Sequence, residues 1–125
     1  MKRINRMIIN ADEYKKLREY GISFFNKLLK DLNEEGANLT PPIIYLKWDN
    51  TDIIQGYYDG TNSISIINSD TLTEYEVKET IRHETIHYTL TKLGIPSNDW
   101  DTEFMNIAKS YNCYPQEYLK EYFNE

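Results

Sequence analysis
The chain has 125 residues, 40% apolar and 27% charged, which is the composition of one folded domain spanning 1–125 rather than a disordered or membrane-embedded chain. Fourteen basic against 20 acidic residues leave a net charge of −6, which argues against a sequence-independent grip on nucleic-acid phosphates. A single cysteine, Cys113, excludes an internal disulfide framework and a Cys-based zinc ribbon.

The start, Met1 to Asn10, is basic but lacks an apolar stretch of signal-peptide length, and no run approaches a membrane span. The expectation is a cytoplasmic protein. The Asn, Ile, Lys and Tyr content is that of an AT-rich genome, bacterial or phage. Residues 11 to 35 read as a helix, capped by Asp12, with Leu17, Phe24, Phe25, Leu28, Leu29 and Leu32 at near-helical spacing. Gly21 is a candidate break, and Gly36 suits a left-handed position just past the end. Pro41-Pro42 then begins extended chain.

Three β-rich runs follow, at 43–48, 53–58 and 63–68, separated by Asp49-Asn50-Thr51-Asp52 and Asp59-Gly60-Thr61-Asn62. These turns predict an antiparallel meander, with Gly56 marking a bulge. Thr73 with Glu76 forms a capping-box pattern that opens a second helix over 73–93, and Gly94 and Pro96 close it. A third helix is expected from Asp101 to about Tyr111, burying Phe104, Ile107, Ala108 and Tyr111, and a short fourth from Gln116 to Phe123. The order is α-βββ-α-α(α), an α+β domain.

The second helix carries His83-Glu84-Thr85-Ile86-His87, the pattern H-E-x-x-H. Residues i and i+4 share a helix face, so both imidazoles can reach one ion. Zinc accepts such nitrogens and lowers the pKa of a bound water to near 7, and Glu84 is placed to take that proton as general base. Two histidines spaced by four arise by chance about 2% of the time, and a Glu in the second slot about 10%. The joint accident is about 0.2%, which favours a metal site over two unrelated histidines.

Catalytic zinc takes three protein ligands, and the chain has no third histidine. The loop Asn98-Asp99-Trp100-Asp101-Thr102-Glu103 follows the helix and offers Asp99 and Asp101 equally as the third ligand. Asp101 also suits the N-cap of the third helix, and Glu103 is the weaker option, in the first turn. Arg82 is expected to face solvent or pair with Glu79. Tyr88 packs in the core or serves as an oxyanion donor, Cys113 is a small buried hydrophobe, and the eleven tyrosines are packing residues.

From about Gly56 to Asn112 the sequence resembles the SprT-like zinc metallopeptidases. Gly56-Tyr57-Tyr58 resembles the family's Gly-containing strand, Ile64 to Asn68 its Asn-terminated strand, and Glu79 to Tyr88 its H-E-x-x-H helix. In the family's H-G-x-x-F pattern Phe104 matches the Phe, while Trp100 takes the place of the third His, flanked by Asp99 and Asp101. The resemblance implies a zincin-like minimal domain, zinc on His83 and His87, Glu84 as general base, and a protein or peptide substrate. A second reading is a non-catalytic zincin-fold binding module with a structural or weakened metal site. A repressor-cleaving H-E-x-x-H peptidase is disfavoured, because that family's Glu-rich downstream helix is missing.

Overall fold
A computed structural model describes residues 9–47, 55–67 and 72–114. The expected fourth helix, Trp48, Ile53, Ile54 and Asn68 lie outside the described residues.

The first helix, α1, spans Ala11–Asp31. Its N-cap is Asn10, whose side chain accepts from the Glu13 amide at 2.9 Å, so the cap lies two residues before Asp12. The helix also ends earlier than its apolar pattern. Asn33 takes the left-handed conformation at φ 56°, and Gly36 sits instead inside a 3-10 turn at Glu35–Ala37. Asn reaches that conformation at little cost, and so it, not the glycine, terminates α1. Gly21 does not break α1. It lies against the sheet, where an added Cβ would stand 2.4 Å from Ile44 Cδ1.

The strands are β1 (Ile43–Lys47), β2 (Gly56–Tyr58) and β3 (Ser63–Ile67), in the spatial order β1-β3-β2. β2 and β3 form the antiparallel hairpin that the Asp59-Gly60 turn demands. β1 pairs with β3 in parallel, Ile43 opposite Ser63 and Lys47 opposite Ile67. The sheet is therefore mixed, and the expected antiparallel meander is corrected. All five β3 residues are buried, so β3 takes the centre, while the three-residue β2 lies at an edge.

Gly56 stays in register with β3, without a bulge. An added Cβ there would lie 2.6 Å from both the Ser65 carbonyl oxygen and Thr80 Cγ2, and 3.6 Å from Glu84 Cγ. The glycine is needed because the next helix approaches β2 this closely.

That helix, α2, spans Glu74–Lys92, opened by the Thr73–Glu76 capping box and followed by Gly94 at φ 76°. A third, α3, spans Thr102–Ser110 and buries Phe104 and Ala108, with Ile107 and Tyr111 half-buried. α2 is the central element and buries residues around most of its circumference, from Val77 and Ile81 to Ile86 and Leu90. On one side it packs with α1 and the sheet around Leu17, Phe25, Ile44, Ile64, Ile66 and Ile81. On the other it packs with α1 and α3 around Phe24, Leu28, Ile86, Leu90 and Phe104. The described residues thus form a small α+β domain of three α-helices and a three-stranded sheet. None of its helices is long and apolar enough to cross a membrane.

Candidate metal centre
The site forms where α2 meets the loop before α3. One helical turn separates His83 from His87. Their Nε2 atoms lie 3.2 Å apart, and both face Asp99 Oδ1, at 3.1 Å from His83 and 2.8 Å from His87. The three side chains are only 13–18% exposed. Among the described residues they form the group of His, Cys, Asp and Glu side chains able to hold a metal ion.

The outer nitrogens fix the chemistry of the inner ones. His83 Nδ1–H donates to the Cys113 carbonyl at 2.8 Å, and His87 Nδ1–H donates to the Ser97 carbonyl. A carbonyl only accepts, so both Nδ1 atoms carry hydrogen, and in a neutral imidazole Nε2 is left with a lone pair. Three lone-pair atoms then converge with no hydrogen between them, an arrangement stable only around a positive charge. Ligand atoms around a tetrahedral zinc with bonds of 2.0–2.1 Å stand about 3.3–3.4 Å apart, close to the spacings seen. The donor set fits a metal ion.

Without one, a proton is the only positive charge at hand. Burial of the His83 imidazole disfavours its charged form, but the Asp99 and Glu84 carboxylates and the Cys113 carbonyl outweigh this and raise its pKa. Burial likewise works against a charged Asp99, yet the two imidazoles hold its carboxyl well below the usual range.

Of the two aspartates left open by the sequence, Asp99 joins the cluster. Asp101 turns away, and its Oδ2 accepts from the Asn98 amide at 2.8 Å while its own amide donates to the Asn98 carbonyl at 2.9 Å. It occupies the N-cap position of α3 by backbone but makes no side-chain cap. Its role is to close the turn that presents Asp99. Glu103 lies exposed in the first turn of α3.

Glu84 is 7% exposed, on the α2 face toward β2. Burial raises its pKa, opposed by the nearby imidazoles and the Tyr58 amide. With His87 it walls a cleft of about 320 Å³, completed by Tyr58 and by the Ser97 to Trp100 loop. Trp100 is 61% exposed at this rim.

Several further groups surround the site. Phe104 stacks on His87 with ring centroids 3.9 Å apart and meets His83 edge-on at 5.0 Å. The Tyr114 hydroxyl donates to the Asp99 carbonyl at 2.9 Å. Cys113 is fully buried, as expected of a small hydrophobe, and burial pushes its thiol up to about 12. It serves the site through its carbonyl instead. Tyr88 lies in the core with its hydroxyl on the Thr40 carbonyl, away from the cleft. Arg82 is half-buried; its charge acts on Glu79, and its guanidinium is hydrogen-bonded to the Tyr20 hydroxyl and to carbonyls at the end of α3.

Comparison of the chain with protein-family models, with curated proteins and with solved structures returns no match.

Proposed function
We propose that this protein is a zinc-dependent metallopeptidase with a SprT-like, zincin-type domain. The observation that carries the reading is the convergence of His83 Nε2, His87 Nε2 and Asp99 Oδ1 beside a buried Glu84 on the wall of one cleft. A zinc ion held there would polarise a peptide carbonyl and lower the pKa of water to near 7.

The chain's own groups supply the rest. The Cys113 and Ser97 carbonyls keep both imidazoles in the tautomer that turns Nε2 inward. The Asp99 carboxylate offsets the charge of the ion. Glu84 accepts the proton of the attacking water and delivers it to the leaving amine, a task suited to a carboxyl whose pKa burial has raised. Tyr58 and the Ser97 to Trp100 loop leave an open cleft for an extended peptide. The net charge of −6 favours a protein substrate over nucleic acid.

The test is metal content and hydrolysis together. Protein purified without added metal should hold about one zinc per chain, and a His83→Ala/His87→Ala double variant that keeps the same zinc, or iron in place of zinc, overturns the assignment. Glu84→Gln should retain zinc and lose hydrolysis of unfolded proteins by about 10²-fold or more. Wild type and Glu84→Gln equally inert across a broad panel of unfolded proteins would leave a metal-holding binding module instead.

A further inference from the structure
We propose that Arg82 is a positioning residue of this metal site, acting through the turn after α3 rather than on the ion; the inference rests on His83, His87 and Asp99 being the ligands.

Arg82 precedes His83 in α2, so the two side chains leave the helix about 100° apart. They nevertheless meet the same stretch of chain. Arg82 Nε donates to the Tyr111 carbonyl at 3.0 Å and Nη2 to the Asn112 carbonyl at 3.2 Å. The next carbonyl, that of Cys113, receives the His83 Nδ1–H at 2.8 Å. Three successive carbonyls are thus bound from α2, two by the guanidinium and one by the ligand imidazole. The remaining arm, Nη1, donates to the Tyr20 hydroxyl at 2.8 Å and ties the clamp to α1.

The turn needs such a clamp. Asn112 is left-handed at φ 57°, and the Asn112 and Cys113 amides fold back on the Lys109 and Ala108 carbonyls at 3.1 and 2.9 Å. This satisfies the end of α3 but leaves the Tyr111 and Asn112 carbonyls pointing outward, toward the guanidinium. The planar fork of Arg holds two acceptors in fixed relation, which the single ammonium of Lys does not. With those carbonyls fixed, the Cys113 carbonyl is aimed at Nδ1, and this sets both the tautomer and the ring rotation of His83. His87 has a separate orienting group, the Ser97 carbonyl on the loop before α3, which Arg82 does not touch.

That asymmetry supplies the test. Long-range ¹H–¹⁵N spectra of the imidazoles report each tautomer in the metal-free, ¹⁵N-labelled chain at alkaline pH, where the imidazole rings are neutral. Wild type should show Nδ1–H for both histidines. In Arg82→Met the His83 pattern should move toward a tautomer mixture while that of His87 stays, and zinc affinity, measured against a competing chelator, should fall about 10–100-fold. Arg82→Lys keeps the charge without the fork and should shift His83 in the same direction by less; it carries the test if Arg82→Met does not fold. A folded variant with wild-type His83 signals and zinc affinity overturns the proposal, as does an equal change at both histidines. If the Arg82 variants shift in this way while the wild-type chain binds zinc and cleaves nothing, the peptidase reading alone is overturned.

Discussion
Replacing Asp99 by Asn tests the third ligand most directly. Asp99 Oδ1 stands 2.8 and 3.1 Å from the two Nε2 atoms, and its side chain is only 18% exposed. Asn keeps the shape and one oxygen but removes the charge. Losing one member of a buried charged set costs about 3–5 kcal/mol. At 1.4 kcal/mol per tenfold, that is roughly two to three and a half powers of ten in zinc affinity. The 18% exposure puts the expectation at the lower end, about 10²-fold. Asp101→Asn is the control. Its oxygen accepts from the Asn98 amide, a bond the Asn side-chain oxygen can also accept, so zinc affinity should change by about threefold or less. Competition titration with a chromophoric chelator at fixed pH reads both. Equal losses for the two variants, or a larger loss for Asp101→Asn, would refute the placement of the ligand.

The pH dependence of metal-free stability has a definite sign. His83 has a raised folded pKa, so its contribution is fully present below about pH 6.5 and is lost as pH rises through the folded value. Glu84, raised by burial, acts in the same sense, while the lowered Asp99 contributes above about pH 3.8 and loses this as pH falls. Melting temperature in chelator should therefore fall from pH 6 to 8, and the gain on adding zinc should grow over that range, because the ion displaces the proton; a metal-free melting temperature that rises over the same range contradicts the pairing. Gly56→Ala drives a Cβ against the Ser65 carbonyl and Thr80, and should cost about 1–3 kcal/mol by denaturant melt. Gly21→Ala meets only the flexible end of Ile44, so the helix-propensity gain of about 1 kcal/mol offsets the rearrangement and the net change should be small. Phe104→Ala removes a fully buried ring beneath both imidazoles and should cost about 3–5 kcal/mol. Trp100→Ala, at an exposed rim, should stay within about 1 kcal/mol, and comparable losses for the two would place Phe104 outside the core.

The features that could be read in the sequence are those set within a few residues. The Thr73–Glu76 box, the Gly94 stop and the shared face of His83 and His87 each depend on spacing along one helix, and one turn of helix decides them. The Asp59-Gly60 hairpin is local in the same way. The features that could not be read depend on chain distant in sequence. β1 resembles the first strand of a meander, and only the burial of β3 as the central strand places β1 beside β3, where the two pair in parallel. Asp99 and Asp101 differ by two positions and share a residue type. Their roles separate because Asp101 is spent on the turn at Asn98, leaving Asp99 aimed at the imidazoles. The carbonyls of Ser97 and Cys113 have no side-chain signature at all, since any residue supplies one. The sequence alone thus specified two histidines and a glutamate on one helical turn. Tertiary packing of α2 against the loop and the end of α3 decided which aspartate joins the two histidines and how their rings are oriented, because those contacts span 10 to 30 residues.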